Sequence, residues 1–275
     1  MRRLVPIIVI AVTAVAASYY AYRQSHRVRA IEGPTLTVRV LDAEFGCAGI
    51  LRTPEGRIVV IDPTLRGVKA VADLLKAEHA RAVTVILTDI TPARAAALAA
   101  LQRSVGVSKL IRPELGPSTE VWTRTLALAK CEPTAELAIP AGDRVRVSPK
   151  VAIEALGPSI GCRGPLVFRV RFGAKSVFFS PQMDAAEESD LIRSGQDLTS
   201  SVLVAPRTGA SLELLSMVRP EIIVISTPTK PSRSVLDRFS ERNTGAALYR
   251  TDKHGIIEID TNGRSVRVST EGGGP

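Results

Sequence analysis

Apolar residues recur along this chain with two different periods. Leu36-Thr37-Val38-Arg39-Val40-Leu41 alternates apolar and polar positions, the pattern of a half-buried strand. Gly49-Ile50-Leu51-Arg52 and Arg57-Ile58-Val59-Val60-Ile61 flank Thr53-Pro54-Glu55-Gly56, a turn with proline at its second position, so a hairpin is expected. Val68, Val71, Ala72 and Leu75 follow at helical spacing. Ala82-Val83-Thr84-Val85-Ile86-Leu87 is a short, nearly continuous apolar run, as expected for a strand covered on both faces. The second half predicts strands over Val151–Ala155, Leu166–Phe172, Ser176–Phe179, Ser201–Val204 and Glu221–Ile225. It predicts helices near Ala185–Arg193, Ser211–Val218 and Ser232–Glu241. Two last strands, Gly255–Ile259 and Ser265–Ser269, are expected to flank an Asp260-Thr261-Asn262-Gly263 turn. Hairpins mixed with strand–helix units predict an α/β (α+β) fold of two mixed sheets covered by helices. No internal repeat and no linker divides it.

One segment stands apart. Leu4 to Tyr22 is a run of 19 uncharged, mostly apolar residues, with Tyr19, Tyr20 and Tyr22 at its end. At about 1.5 Å per residue it nearly spans a hydrocarbon core of about 30 Å, and the tyrosines suit an interfacial belt. The competing reading is a cleavable signal, since Ala14-Val15-Ala16 is a small-x-small pattern. The apolar run continues past that site and favours an anchor. The expected organisation is residues 1–22 as anchor or signal, 23–34 as polar tether, 35–269 as one globular domain and 270–275 as a disordered tail. The expected location is a membrane, crossed once, with the domain extracytoplasmic; Arg2 and Arg3 favour that orientation and Arg23, Arg27 and Arg29 oppose it.

Composition narrows the function. The chain has 275 residues, 45% hydrophobic and 23% charged, which is ordinary for a globular core. Only 4% are aromatic, which argues against stacking platforms for single-stranded nucleic acid. Five arginines and no acid in residues 1–30 account for more than half of the net charge of +9. The basic excess thus belongs mainly to the membrane flank. Cys47, Cys131 and Cys162 fit no metal-binding spacing and read as isolated small core residues, although a Cys47–Cys162 or Cys131–Cys162 bridge stays open for an exported domain.

Three segments carry a family resemblance. Thr37–Asp42 followed by a hairpin ending Val60-Ile61-Asp62, then Pro220–Ser226 with Lys230-Pro231-Ser232, then Leu248–Gly255 with its Arg250-Thr251-Asp252, occur in order over residues 35–269. Together they resemble the metallo-β-lactamase superfamily, specifically the extracytoplasmic hydrolase-like domain of ComEC-type competence proteins. The resemblance implies a four-layer αββα sandwich, here preceded by one N-terminal transmembrane helix. It also implies a two-metal site, usually zinc, that activates water. The ligands of such a site are imidazoles and carboxylates. At the matching positions this chain has Asp89, Thr91, Ala93 and Arg94, then Pro181-Gln182, then Arg207-Thr208, then Lys230. Of the early ligand loop only Asp42-Ala43-Glu44-Phe45-Gly46-Cys47 remains. Just three histidines exist, His26, His79 and His254, none at these positions. No zinc cofactor and no catalytic residue are therefore expected.

The replacements make sense as structure. Thr91-Pro92 reads as an N-cap followed by proline at the first helical position. Asp184, Glu187 and Glu188 suit the first turn of the next helix. The leading reading is a catalytically inactive, membrane-tethered domain that binds or scaffolds, with Asp42, Asp89, Arg94 and Arg207 as a polar or anion-binding cluster in the former active cleft. A protein partner is compatible with it. The second reading is a hydrolase or nuclease rebuilt on oxygen ligands, with Asp42, Asp89, Asp184 and Asp252 holding magnesium or manganese. The third is a DNA-binding accessory of DNA uptake; Arg39, Arg169 and Arg171 are then the strand-face candidates, against the simpler reading of a solvated sheet face.

Overall fold

The computed structural model describes residues 31–43, 46–114, 123–124, 127, 135–158, 164–240 and 244–271. The run Leu4–Tyr22, most of the tether, and Cys131 and Cys162 lie outside them. Among the described residues no helix is long and apolar enough to cross a membrane.

Eight strands form one sheet: β1 (Leu36–Leu41), β2 (Ala48–Arg52), β3 (Ile58–Ile61), β4 (Ala82–Ile86), β5 (Gly106–Pro113), β6 (Glu136–Ile139), β14 (Ile257–Thr261) and β15 (Val266–Thr270). Their order is β15-β14-β1-β2-β3-β4-β5-β6. The second sheet holds β7 (Arg144–Arg146), β8 (Val151–Gly157), β9 (Val167–Phe172), β10 (Lys175–Phe179), β11 (Val202–Pro206), β12 (Ile222–Ser226) and β13 (Ala247–Arg250), in the order β13-β12-β11-β10-β9-β8-β7. Strands consecutive in sequence give the antiparallel pairs, except β1–β14, which joins distant parts of the chain. Helical crossovers link the parallel strands β3–β4–β5 in the first sheet and β10–β11–β12–β13 in the second, and β6 pairs in parallel with β5.

The alternation in β1 does what its period dictates: Leu36, Val38 and Val40 face the second sheet, and the polar positions between them are half-buried. Between the sheets those residues meet Ile153, Val170, Val204 and Val224, with Phe168 and Phe179 stacked at 4.9 Å. Each such buried side chain contributes about 1.5–3 kcal/mol. The helical residues Val68, Val71, Ala72 and Leu75 lie on α1 (Val68–Ala77), which packs with α2 (Pro92–Ser104) on the outer face of the first sheet. The outer face of the second sheet is covered by α3 (Ala185–Arg193), α4 (Leu212–Val218) and α5 (Arg233–Arg238). The layers therefore run helix, sheet, sheet, helix.

Several expectations shift. The last turn starts two residues later: Asp260 and Thr261 complete β14, and Asn262 makes the turn by accepting from the backbone N–H groups of Arg264 and Ser265 at 3.0 Å each. His254 sits in a one-turn helix, α6 (Thr251–His254), where it is buried and its Nδ1 accepts from the Arg250 N–H at 3.1 Å. Burial pushes its pKa down, and Lys253 adds to the effect. Cys47 is a free, buried thiol.

Arg169 is not on a solvated face. It is buried, donating to Glu154 Oε2 at 2.6 Å and to the Thr199 carbonyl at 3.0 Å. Glu154 also accepts from Arg171 at 3.0 Å, and these guanidinium groups hold its carboxyl below the usual range against the opposing effect of burial. The arginines of β9 are thus committed to an internal pair. Glu154→Ala leaves Arg169 with the Thr199 carbonyl and the exposed Asp197 at 3.5 Å. It is expected to cost about 2–3 kcal/mol in urea denaturation, while Arg144→Ala, whose side chain is more than half exposed, is expected to cost under about 1 kcal/mol.

Candidate functional site

Strands β3 and β4 are parallel and end at the same edge, so the loops after them emerge side by side. The loops that follow β10 and β12 reach the same place. Residues 63–67, 70, 88–89, 91, 93–94, 181–182 and 228, with Asp42 and Gly46, line a cleft of about 850 Å³. Its position beyond the carboxyl ends of parallel strands is where open α/β sheets place ligands, and its volume lies in the range of small-molecule sites.

Its floor is an ion-pair cluster built from three loops. Asp62 follows β3 directly and is wholly buried, with its backbone in the left-handed region at φ 45°, which aspartate tolerates better than branched residues. Its Oδ1 accepts the Thr88 N–H at 2.8 Å and its Oδ2 accepts the Thr88 hydroxyl at 2.5 Å. Arg94 enters from the first turn of α2. Thr91 caps that helix by accepting the Arg94 N–H, and Pro92 stands at its start, as the sequence predicts. The Arg94 guanidinium donates through Nη1 to the Asp62 carbonyl at 3.0 Å and through Nη2 to Asp62 Oδ2 at 3.2 Å. Its Nε donates to Asp89 Oδ1 at 3.2 Å. Gly46, at φ 73°, makes room: a Cβ there would stand 3.0 Å from Arg94 Nη2.

Burial pushes the Asp62 carboxyl up to about 6, against the pull of Arg94 and the Thr88 hydrogen bonds. The neighbouring Cys47 thiol is raised well above its usual value, by burial first and by Asp62 second. It donates to the Ser180 carbonyl at 3.1 Å.

The candidate residues divide. Asp42, Asp89, Thr91, Ala93, Arg94, Pro181 and Gln182 all line the cleft. Arg207 and Thr208 do not: Gly209 N–H bonds back to the Pro206 carbonyl at 2.9 Å, and this tight turn leaves both residues exposed at its corner. Lys230 is likewise exposed. The four carboxylates of the oxygen-ligand reading are not brought together. Asp184 caps α3 in a capping box with Glu187, and Asp252 forms a two-point pair with Arg250 at 3.0 and 2.7 Å. Among the described residues no three His, Cys, Asp or Glu side chains cluster as a metal site requires. The residue that sequence reasoning passed over is Asp62. Its signal was a charged residue ending a strand buried on both faces, where only a strong partner makes burial tolerable.

The comparisons agree on architecture. YhfI from Bacillus subtilis, described as a metallo-β-lactamase fold protein, superposes with a TM-score of 0.59 at 12% identity, over 82% of this chain and 100% of that one. Igni18, a metallo hydrolase from the archaeon Ignicoccus hospitalis, gives 0.52 at 15% identity, over 81% and 98%. Zinc-bound PqqB from Methylobacterium extorquens gives 0.54 at 11% identity, over 78% and 97%. This chain has the metallo-β-lactamase fold. No family model and no curated protein matches its sequence. Among the described residues, the zinc that the resemblance implies finds no fitting donor set in this cleft. The loop after β4 supplies a buried cation, Arg94, which pairs with the two carboxylates nearest to it, Asp62 and Asp89. A divalent ion about 4 Å from a guanidinium meets a repulsion of several kcal/mol even at an effective dielectric of about 20.

Proposed function

We propose that this protein is a non-hydrolytic binding domain on a metallo-β-lactamase scaffold, tethered to a membrane by Leu4–Tyr22 and related to the ComEC-type branch. The observation that carries the reading is Arg94: a side chain only 7% exposed, paired with a wholly buried Asp62 in the loop that the resemblance assigns to metal ligands. Removing the ligand residues alone would leave a weakened site. Adding an internal cation supports a site converted to another use, with the cleft kept open above it. Binding or scaffolding, with the extracytoplasmic side as its setting, is the use that needs no catalytic group. DNA binding draws less support, because Arg169 and Arg171 are spent on Glu154.

Elemental analysis of the full-length protein, expressed with zinc and manganese supplied, tests this directly. Less than about 0.1 equivalent of either metal, and an unfolding midpoint unchanged by chelator, is expected. A stoichiometric metal whose removal lowers the midpoint would overturn the proposal.

A further inference from the structure

Taking the cleft as the binding site of the reading above, we infer that one of its walls is held by an acid-sensitive latch, the one-turn helix α6 closed by His254. The wall is Pro228, which follows β12 and lines the cleft. Thr227, just before it, has no exposure. Both of its backbone groups are taken by one side chain. The Thr251 hydroxyl accepts the Thr227 N–H at 2.8 Å and donates to the Thr227 carbonyl at 2.8 Å. Thr251 is the first residue of α6, so the wall stands where α6 holds it.

His254 ends that helix and closes it. Its Nδ1 accepts the N–H of Arg250, the residue before the helix, at 3.1 Å. A neutral ring that accepts at Nδ1 carries its proton on Nε2, and Nε2 is buried with no hydrogen-bond partner. A second proton has to sit on Nδ1, where it replaces the lone pair that the Arg250 N–H needs. An imidazolium in the closed helix thus gathers three N–H donors with no acceptor for them among the described residues. His254 is only 4% exposed, so water does not make good the loss while α6 stays closed.

The charged and titratable neighbours of the ring are Tyr249 and Arg250 from β13 and Asp252 and Lys253 from α6; β12 contributes no charged residue. Asp252 is held by Arg250 in its two-point pair, and Glu271 beyond the helix accepts the Ile256 N–H. Burial lowers the His254 pKa from its usual 6.5, and Lys253 adds to the effect. A ring released by the opening of α6 therefore takes up a proton more readily than the ring in the closed helix. Acidification below 6.5 favours the open helix. Opening frees Thr251 from Thr227 and unfastens the Pro228 wall. The cleft is held at neutral pH and loosened in acid.

Hydrogen–deuterium exchange of the full-length protein, at about pH 7.5 and about pH 5 and corrected for intrinsic exchange, reads the latch without any ligand. Protection of residues 225–230 and 248–254 is expected to fall by about fivefold or more on acidification. His254→Asn offers a carbonyl oxygen in place of Nδ1 and does not titrate, so it should remove that fall. Asp62 titrates in the same range and is untouched by this change. Strand β9, three strands from β12 in the second sheet, should therefore respond alike in both proteins. Thr251→Val keeps His254 and should lose about tenfold of the protection at residues 225–230 already at about pH 7.5. Wild-type protection that does not fall, or that falls equally in His254→Asn, would overturn the inference and leave the non-hydrolytic reading standing. So would a Thr251→Val variant as protected at residues 225–230 as wild type. A stoichiometric metal in the elemental analysis would overturn that reading without touching the exchange result.

Discussion

Arg94→Met is expected to lower the unfolding free energy by about 3–5 kcal/mol, the largest effect of any single substitution outside the apolar core. The arithmetic rests on what remains. Asp62 has no exposure, and without Arg94 its carboxylate keeps only the Thr88 N–H and hydroxyl. A lone buried carboxylate is far costlier than a buried pair, and the protein must either hold it ionised or take up a proton to neutralise it. The companion variant separates charge from packing. Asp62→Asn keeps the acceptor for the Thr88 N–H and can donate to the Thr88 hydroxyl, so it is the neutral shape of the same group. Combined with Arg94→Met it should recover at least about 2 kcal/mol of the single variant's loss, because removing both partners of a buried pair costs less than removing one. Urea denaturation at about pH 7.5 reads all four proteins. An Arg94→Met variant within about 1 kcal/mol of wild type would mean that the guanidinium is incidental to the cleft floor.

This cluster also shows where sequence reading succeeds and where it stops. Elements with one exposed and one buried face announce themselves, as β1 does by alternation and α1 by its spacing of Val68, Val71, Ala72 and Leu75. Caps are equally plain, because they are local: Thr91-Pro92 and Asp184 do in the structure what their types favour. Strand β5 was not visible, since Gly106–Pro113 mixes Ser108, Lys109 and Arg112 among its apolar residues and its pairing shifts register against β4. The site was half legible. Arg94 and Asp89 are five residues apart and could be paired on paper, but Asp62 is 32 residues from Arg94 and meets it only because β3 and β4 run parallel to one edge. Arg207 failed for the opposite reason. Its place in an alignment with ligand loops suggested the cleft, and one local turn closed by Gly209 turned it outward.

The second large effect is one of pH, and its sign is that of a carboxylate dominated by burial, opposite to that of one dominated by its ion pairs. In the folded protein Asp62 holds its proton up to about 6, against an ordinary value of 3.8. Between those two values the folded state binds a proton that the unfolded chain releases, so stability falls as pH rises through the interval. Below about 3.8 the term is constant, and above about 6 the loss is complete. At about 1.4 kcal/mol per pH unit the interval amounts to about 3 kcal/mol. Glu154 works the other way. Its lowered pKa contributes stability that is present above its usual value of 4.5 and is lost on acidification. The wild-type profile is thus a sum of opposing terms, and the informative quantity is the difference from Asp62→Asn, which lacks only the first. Between about pH 4 and pH 7 wild type should lose about 3 kcal/mol relative to that variant, measured by urea denaturation at each pH. Parallel profiles would mean that Asp62 does not change protonation within the fold. Arg94 sets the scale of the effect: it draws the Asp62 pKa downward against burial, so the carboxylate buried beneath the cleft is charged at neutral pH because a cation stands beside it.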